Sequence, residues 1–229
     1  MALILCIETT TEVCSVAVFN GNELLYEKNF PDGNMHASHL HLLIDDVLKV
    51  AEVKLKYIKA IAVSKGPGSY TGLKVGVASA KGLCYALSVP LIAVDTLYSL
   101  TFGFNRQNNT QANSILIPML DARRMEVYTA VFNNSTHLLE QTQAKIIDET
   151  SFATYSNNIV YFFGNGALKC KPVLQHVFNN ASFNPFLCNA KYLGILAQQA
   201  YEKKMFEDLA YFEPFYLKDF VTTTPKKII

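Results

Sequence analysis

The chain has 229 residues, 50% of them hydrophobic and 17% charged, which is enough apolar material for a folded core and excludes a disordered protein. Its length fits one large domain or two of roughly 100 residues each. The net charge of +1, from 20 basic and 19 acidic residues, disfavours strong direct binding to nucleic acid, because basic patches that neutralise phosphates supply much of that affinity. No apolar run approaches the ~20 residues that cross a bilayer and no signal peptide is recognisable, so we expect a cytoplasmic protein without membrane contact.

The first 30 residues predict a meander of three strands. Apolar runs at residues 3–7 and 13–19 are typical of buried strands. Asn20 and Gly21 form a strong two-residue hairpin signal, after which residues 24–30 can return as the third strand.

From about Ser38 the apolar residues recur at intervals of three and four, which predicts a helix with one apolar stripe. The stripe consists of Leu40, Leu43, Ile44, Val47 and Leu48. A buried strand at residues 58–64, a tight loop at 65–69 and a long helix at about 70–87 follow, before another strand at 89–94.

The helix at residues 70–87 is unusually rich in small residues. They are Gly72, Gly76, Ala78, Ser79, Ala80 and Gly82. Because an interior glycine costs roughly 1 kcal/mol relative to alanine, so many of them indicate a closely packed neighbour. That neighbour can belong to the same chain or to a partner, and the sequence leaves both interpretations open.

The second half of the chain begins after a polar segment at residues 105–111, the best candidate for a linker or loop. Strands are predicted at residues 115–120, 125–132 and 159–163, and a helix at about 190–204. Strands interleaved with helices predict an α/β layer fold, and the initial hairpin makes its sheet mixed. The strand at Leu3 and the strand at Ile115 can begin two related halves.

One loop has a composition that suits phosphate binding. Glu8 is followed by Thr9, Thr10 and Thr11 between two predicted strands. Backbone N–H groups and hydroxyls in such a turn can cradle a nucleotide while the carboxylate holds a metal-bound water. Threonine-rich turns also occur without a ligand, and that simpler interpretation is favoured.

The other candidate chemistry is sparse. His36, His39 and His41 lie close together, but no nearby carboxylate or cysteine completes a metal site, and capping or solvent-facing roles are favoured. The sequence contains no G-x-S-x-G elbow, and its five scattered cysteines are expected to be free, buried thiols. The charged residues at 121–126 lie at a turn between strands, where they can pair locally or reach a partner.

Motifs along nearly the whole chain resemble those of the TsaB (YeaZ) family. Residues 4–17 resemble the family's opening strand and loop, and residues 36–43 resemble the start of its first helix. The most diagnostic block is the glycine-rich one at residues 66–83. Residues 121–128 are similar to its D-A-R-x-x-E-V-Y strand, and residues 214–219 to its closing P-x-Y-L-R motif.

The resemblance implies an actin/Hsp70-like (ASKHA) α/β fold of two lobes, with mixed sheets flanked by helices. We place the lobes at residues 1–103 and 104–229 and expect the C-terminal tail to pack back on the first lobe. The implied function is that of a non-catalytic subunit in the formation of N6-threonylcarbamoyladenosine in tRNA. The implied partners are the TsaD transferase and the TsaE ATPase, and tRNA is contacted only indirectly.

In the family the pairing surface is built from the first two helices, which here lie near residues 38–50 and 70–87. The same helices can also mediate a homodimer. The predicted partner interface consists of Leu40, Leu43, Ile44, Val47, Val75, Gly76, Ser79, Gly82 and Leu83.

Two other functions would each need a motif that the sequence lacks. An independent actin-like ATPase or sugar-kinase relative would need a phosphate loop in each lobe, and only the first is recognisable. A metallopeptidase homologue would need the H-x-x-x-H pair of TsaD, but residues 91–98 contain no histidine. Glu8 stands where the family commonly has aspartate, which further disfavours a metal–nucleotide complex, so no cofactor and no metal are expected.

Overall fold

The computed structural model describes residues 1–31 and 36–218, and the side chains of residues 36 and 37 are not among the described parts. The polar residues 31–34, whose sequence predicts a turn that closes the N-terminal meander, lie partly outside the described residues, and Asp219 of the closing motif lies wholly outside them. Within these ranges, ten strands form two sheets of five strands each. No helix of the described residues has the length and apolarity that crossing a bilayer requires.

The first sheet contains the predicted N-terminal meander and has the order β3-β2-β1-β4-β5. Its strands are β1 (Leu3–Glu8), β2 (Cys14–Asn20), β3 (Glu23–Phe30), β4 (Ala60–Ser64) and β5 (Leu91–Val94). Strand β1 pairs antiparallel with β2 and parallel with β4, so the sheet is mixed as predicted.

Both faces of this sheet are covered by helices. Because side chains alternate along a strand, Leu5 and Ile7 of β1 point to one core, and Ile4 and Cys6 point to another. The first core is closed by α1 (His36–Val50) and α2 (Tyr70–Leu87), and the second by α5 (Ala190–Glu202). Burial of β1 on both faces explains why its residues 3–7 are continuously apolar.

The second sheet repeats this arrangement with the order β10-β9-β6-β7-β8. Its strands are β6 (Ile115–Asp121), β7 (Glu126–Asn133), β8 (Leu138–Ile146), β9 (Val160–Phe163) and β10 (Ala181–Asn184). One face packs on α4 (Ala167–Leu174) and the other on α3 (Thr96–Asn108). An antiparallel hairpin followed by parallel strands occurs in both sheets, so the two halves are related in topology.

Helix α3 corrects the prediction for the region between the two halves. The polar segment at residues 105–111, expected to be a linker, is helical as far as Asn108. Asp95 caps the helix by accepting a hydrogen bond from the amide of Tyr98 at 2.9 Å, and Leu100 and Phe104 pack on the second sheet. The boundary placed after residue 103 therefore falls inside a helix, and α5, expected in the second lobe, packs on the first sheet.

The segment after α5 runs back along the first lobe. The amide of Glu207 donates to the carbonyl oxygen of Leu91 at the edge of the sheet. The amide of Phe215 donates to the carbonyl oxygen of Lys65 at 2.7 Å. The ring of Tyr216 then lies 4.8 Å from that of Tyr70 at the start of α2.

Candidate functional site

The threonine-rich loop between β1 and β2 is buried. Thr9, Thr10 and Thr11 are at most 6% exposed, and Glu8 is fully buried. The amide of Thr10 donates to the carboxylate of Glu8 at 2.7 Å, and the hydroxyl of Ser64 donates to the other carboxylate oxygen. The carboxylate that could have held a metal-bound water therefore ties the loop to the end of β4.

The glycine-rich segment closes over this loop from the other side. The hydroxyl of Thr9 donates to the carbonyl oxygen of Gly72 at 2.7 Å. The amide of Ser69 donates to the carbonyl oxygen of Thr10 at 2.8 Å. A Cβ atom on Gly72 would lie 1.9 Å from the carbonyl oxygen of Thr9, and one on Gly76 would lie 2.2 Å from the Thr9 hydroxyl. These glycines are required because the start of α2 lies directly against the loop.

Packing within the chain explains two of the glycines of α2 but not the third. For Gly72 and Gly76 the close neighbour belongs to the same chain. Gly82 is different, because a Cβ atom on it would meet nothing within 4 Å. A packing neighbour inside the described chain therefore does not explain the glycine at this position.

The predicted partner interface divides into two sets. Five of its nine residues are buried inside the chain, and the other four remain accessible. The buried residues are Leu40, Leu43, Ile44, Val47 and Gly76, and the accessible ones are Val75, Ser79, Gly82 and Leu83. The stripe on α1 packs on Leu5, Ile7 and Val16 of its own sheet, so the four stripe residues of the predicted interface cannot also touch a partner in this conformation.

The surface that α1 and α2 leave exposed contains residues that the periodicity did not single out. Leu42 is 62% exposed and Tyr85 is 82% exposed. Exposed residues of α2 recur at intervals of three and four and form one face: Thr71, Lys74, Ala78, Gly82 and Tyr85. The two helices lie side by side here, with the hydroxyl of Ser79 3.3 Å from Nε2 of His41. We call these five residues of α2 the small-residue face.

His39 and His41 of the predicted histidine cluster each contact another side chain. The ring of His39 stacks on that of Phe30 with centroids 4.5 Å apart, and the side chain of His36 lies outside the described parts. Within the described chain, no group of three or more histidine, cysteine or acidic residues is placed to hold a metal ion.

All five cysteines are free and buried, as predicted. Burial raises the pKa of the Cys14 thiol to about 12, and that of Cys84 and Cys170 to about 11. Thiols with such pKa values carry very little thiolate at neutral pH, so they are not activated nucleophiles.

The turn between β6 and β7 is held by local charges. Lys169 Nζ lies 2.6 Å from a carboxylate oxygen of Asp121 and also donates to the carbonyl oxygens of Arg124 and Glu126 at 2.7 Å. Glu126 forms an ion pair with Lys218. Arg123 and Arg124, by contrast, are exposed, so only part of the charge in this turn is used locally.

The fold and sequence both have known counterparts. Residues 33–226 match the family model described as "TsaD: tRNA N6-adenosine threonylcarbamoyltransferase". YeaZ from Pseudomonas aeruginosa superposes with a TM-score of 0.78 at 25% identity, covering 95% of this chain and 100% of that one. The activator of the 2-hydroxyisocaproyl-CoA dehydratase from Clostridium difficile, with bound ADPNP, has a TM-score of 0.52 at 9% identity over 89% of this chain and 97% of that one, and shares the fold alone. The chain is thus an α/β protein of the two-lobed, actin-like class.

Relatives named "tRNA threonylcarbamoyladenosine biosynthesis protein TsaB" make the assignment narrower. The one from Haemophilus influenzae is 26% identical over 232 residues, which cover 96% of this chain and 94% of that protein. The one from Escherichia coli is 33% identical over 150 residues, which cover 64% of this chain and 63% of that protein. The chain belongs to the TsaB (YeaZ) family.

Proposed function

We propose that this chain is a non-catalytic subunit of the machinery that forms N6-threonylcarbamoyladenosine in tRNA, and that it works by pairing with a TsaD-like transferase. The names of its relatives support the pathway. The observation that carries the pairing is the exposed small-residue face of α2. Its Gly82 costs helix stability, and no packing contact within the described chain explains why a glycine stands there. Ala78 and Gly82, at the middle of this face, have little or no side chain and so allow the backbone of another helix to approach closely.

The accessible residues of the predicted interface fit this proposal. Val75, Ser79 and Leu83 flank the small-residue face, and Leu42 of the neighbouring helix adds exposed apolar area. Accessible hydrophobic side chains next to helix positions with small side chains are suited to contact with another helix. The same surface would serve a homodimer, and pairing with the transferase would then compete with self-association.

The non-catalytic character is supported by the first loop. Its hydroxyls and its carboxylate are engaged inside the chain, and the start of α2 lies directly against it. We propose that a TsaE-like ATPase supplies nucleotide turnover and that the transferase subunit holds the reacting adenosine. The assembly is expected to work in the cytoplasm.

Size-exclusion chromatography of this chain mixed with the TsaD-like protein of the same organism tests the pairing. Gly82→Arg and Ala78→Arg should leave the monomer folded and abolish co-elution, because a long charged side chain would stand where the partner's backbone approaches. Gln199→Arg, at an exposed position of α5, is the matched control and should co-elute normally. Normal co-elution of both α2 variants would show that the small-residue face is not the pairing surface. ATP turnover by the isolated chain would contradict its non-catalytic role.

A further inference from the structure

The turn between β6 and β7 carries two neighbouring arginines in a strained backbone conformation. Arg123 has φ 72° and Arg124 has φ 51°, the left-handed region that favours glycine, asparagine and aspartate. The amide of Glu126 donates to the carbonyl oxygen of Arg123 at 3.1 Å and closes a β-turn in which Arg124 is the second residue. A non-glycine residue in such a conformation persists only when its surroundings fix it.

The surroundings of this turn do fix it. The amide of Arg123 donates to Asp121 at 2.7 Å, and Lys169 donates both to that carboxylate and to the carbonyl oxygen of Arg124. On the other side, the amide of Asp121 donates to Asn165, whose side chain donates to Glu12 of the first lobe at 2.6 Å. The backbone of the turn is therefore held rigidly.

The arginine side chains themselves take no part in holding the turn. Both residues are exposed, and none of the three ion pairs among the described residues includes either of them. The two carboxylates of the same turn, Asp121 and Glu126, are already paired with Lys169 and Lys218. The turn thus exposes two arginine side chains to solvent. Both residues have a backbone conformation that glycine adopts more easily.

The ion pair between Glu126 and Lys218 links this turn to the aromatic residues of the C-terminal tail. Lys218, which is paired with Glu126, is two residues from Tyr216, whose ring is 37% exposed and 4.8 Å from that of Tyr70. Lys74 of α2 lies 5.3 Å from the centre of the Tyr70 ring. We call the set Arg123, Arg124, Tyr216, Tyr70 and Lys74 the arginine–tyrosine strip. The Glu126–Lys218 ion pair joins its two arginines to its two tyrosines, and Lys74 also belongs to the small-residue face of α2.

Cations that flank an exposed aromatic ring are typical of surfaces that bind single-stranded nucleic acid, because the cations neutralise phosphates and the ring stacks on a base. Arginine suits this role because its planar group can form two hydrogen bonds to one phosphate. We propose that the arginine–tyrosine strip contacts an unpaired segment of the tRNA when the chain is paired with its transferase.

This inference rests on the proposed function. It also revises the expectation that tRNA is contacted only indirectly. Three cations are too few for stable binding by the isolated chain, which agrees with its net charge of +1, and so the contact is expected to count only within the complex.

The test compares two charge reversals in the complex with the TsaD-like protein. Arg123→Glu with Arg124→Glu should weaken binding of fluorescently labelled tRNA roughly tenfold near 0.1 M salt, and should lower the slope of log affinity against log salt by about 1 to 2. Lys203→Glu with Lys204→Glu, another adjacent and exposed pair, should change neither quantity. Unchanged affinity and slope in the arginine variant would overturn the proposal.

Chromatography of the same samples separates this proposal from the proposed function. Wild-type chain and the arginine variant should both co-elute with the transferase. If only the arginine variant fails to co-elute, the strip contacts an acidic protein surface and not tRNA. If the wild type also fails, the pairing itself is wrong and the strip proposal falls with it.

Substitutions that do not reverse charge provide a second readout. Arg124→Gly should raise the melting temperature by relieving the left-handed strain and still weaken tRNA binding severalfold. Tyr216→Ala should weaken it roughly 5- to 100-fold, whereas Tyr216→Phe should bind like the wild type. Tyr211→Ala, at an exposed ring of the same tail, is the control and should have no effect. If the Arg124→Gly chain were more stable but bound tRNA with unchanged affinity, Arg124 would have no role in binding.

Discussion

The hydroxyl of Thr9 donates a 2.7 Å hydrogen bond to the carbonyl oxygen of Gly72, and the carbonyl oxygen of Thr9 lies where a side chain on Gly72 would begin. The first lobe therefore joins its threonine loop to its second helix through direct backbone contact. The loop whose composition suits phosphate binding thus uses its Thr9 hydroxyl to hold the start of α2.

The contrast between two glycines of α2 tests this packing. Gly72→Ala should lower the free energy of unfolding by about 2 kcal/mol or more, because the added Cβ overlaps the backbone of the threonine loop. Gly82→Ala should leave the isolated chain unchanged or stabilise it by up to about 1 kcal/mol, since the position is open and alanine is the better helix former. Urea denaturation of both variants measures the difference, and equal effects would show that Gly72 is not in close contact.

The sequence predicted much of the first lobe because its signals are local. The helix at residues 70–87 matches α2, and the continuous apolar run from Leu3 to Ile7 matches a strand buried on both faces. The periodicity of Leu40, Leu43 and Ile44 likewise predicted a helix, but it could not say what would cover the stripe. That depends on contacts with β1 and β2, which are distant in sequence.

Other elements were missed because their signals are weak or depend on tertiary packing. Strand β8 alternates poorly between exposed and half-buried residues, and α4 has only eight residues with a proline inside. The role of Glu8 was equally hidden, because the sequence shows an acid before three hydroxyls but not the partner on β4. Ser64, which donates to that acid, is 56 residues away.

Replacing Glu8 tests whether its carboxylate is structural. Glu8→Ala should lower the free energy of unfolding by about 2 to 4 kcal/mol, because the amide of Thr10 and the hydroxyl of Ser64 would lose their acceptor in a buried site. Glu12→Ala removes an exposed carboxylate from the same loop and should cost under about 1 kcal/mol. Thermal and urea unfolding followed by circular dichroism give both values. A Glu8 variant as stable as the Glu12 variant would reopen the loop as a ligand site.

The cap of α3 gives the stability of the chain a dependence on pH. Burial raises the pKa of the Asp95 carboxyl, against the opposing effects of the Tyr98 amide and Lys65. The folded chain therefore keeps this proton to a higher pH than the unfolded chain does. As the pH rises from about 4, the unfolded state ionises first, and the contribution of Asp95 to stability is lost as the pH passes through the folded pKa.

Asp95→Asn separates the cap from the charge, because asparagine caps a helix as well as aspartate does. The variant should be more stable than the wild type at pH 7 and equally stable below about pH 3, where both side chains are neutral in the folded and unfolded states. Melting temperatures measured across this range decide the point. A wild type that is more stable at neutral pH would mean that attraction to Lys65 outweighs the cost of burial.

The attachment of the C-terminal tail depends on Lys81 of α2. Its ammonium group donates to the carbonyl oxygen of Phe212 at 2.8 Å and to that of Ala210 at 3.4 Å, and so fixes a segment that has no regular secondary structure of its own. Lys81→Met keeps the aliphatic stem and removes the donor. We expect faster hydrogen exchange at residues 207–216 with little change in the global melting temperature, because local opening costs less than unfolding. Lys49→Met, at an exposed position of α1, is the matched control and should leave exchange in the tail unchanged. Equal exchange in both variants would show that the backbone bond from Phe215 to Lys65 holds the tail without help from Lys81.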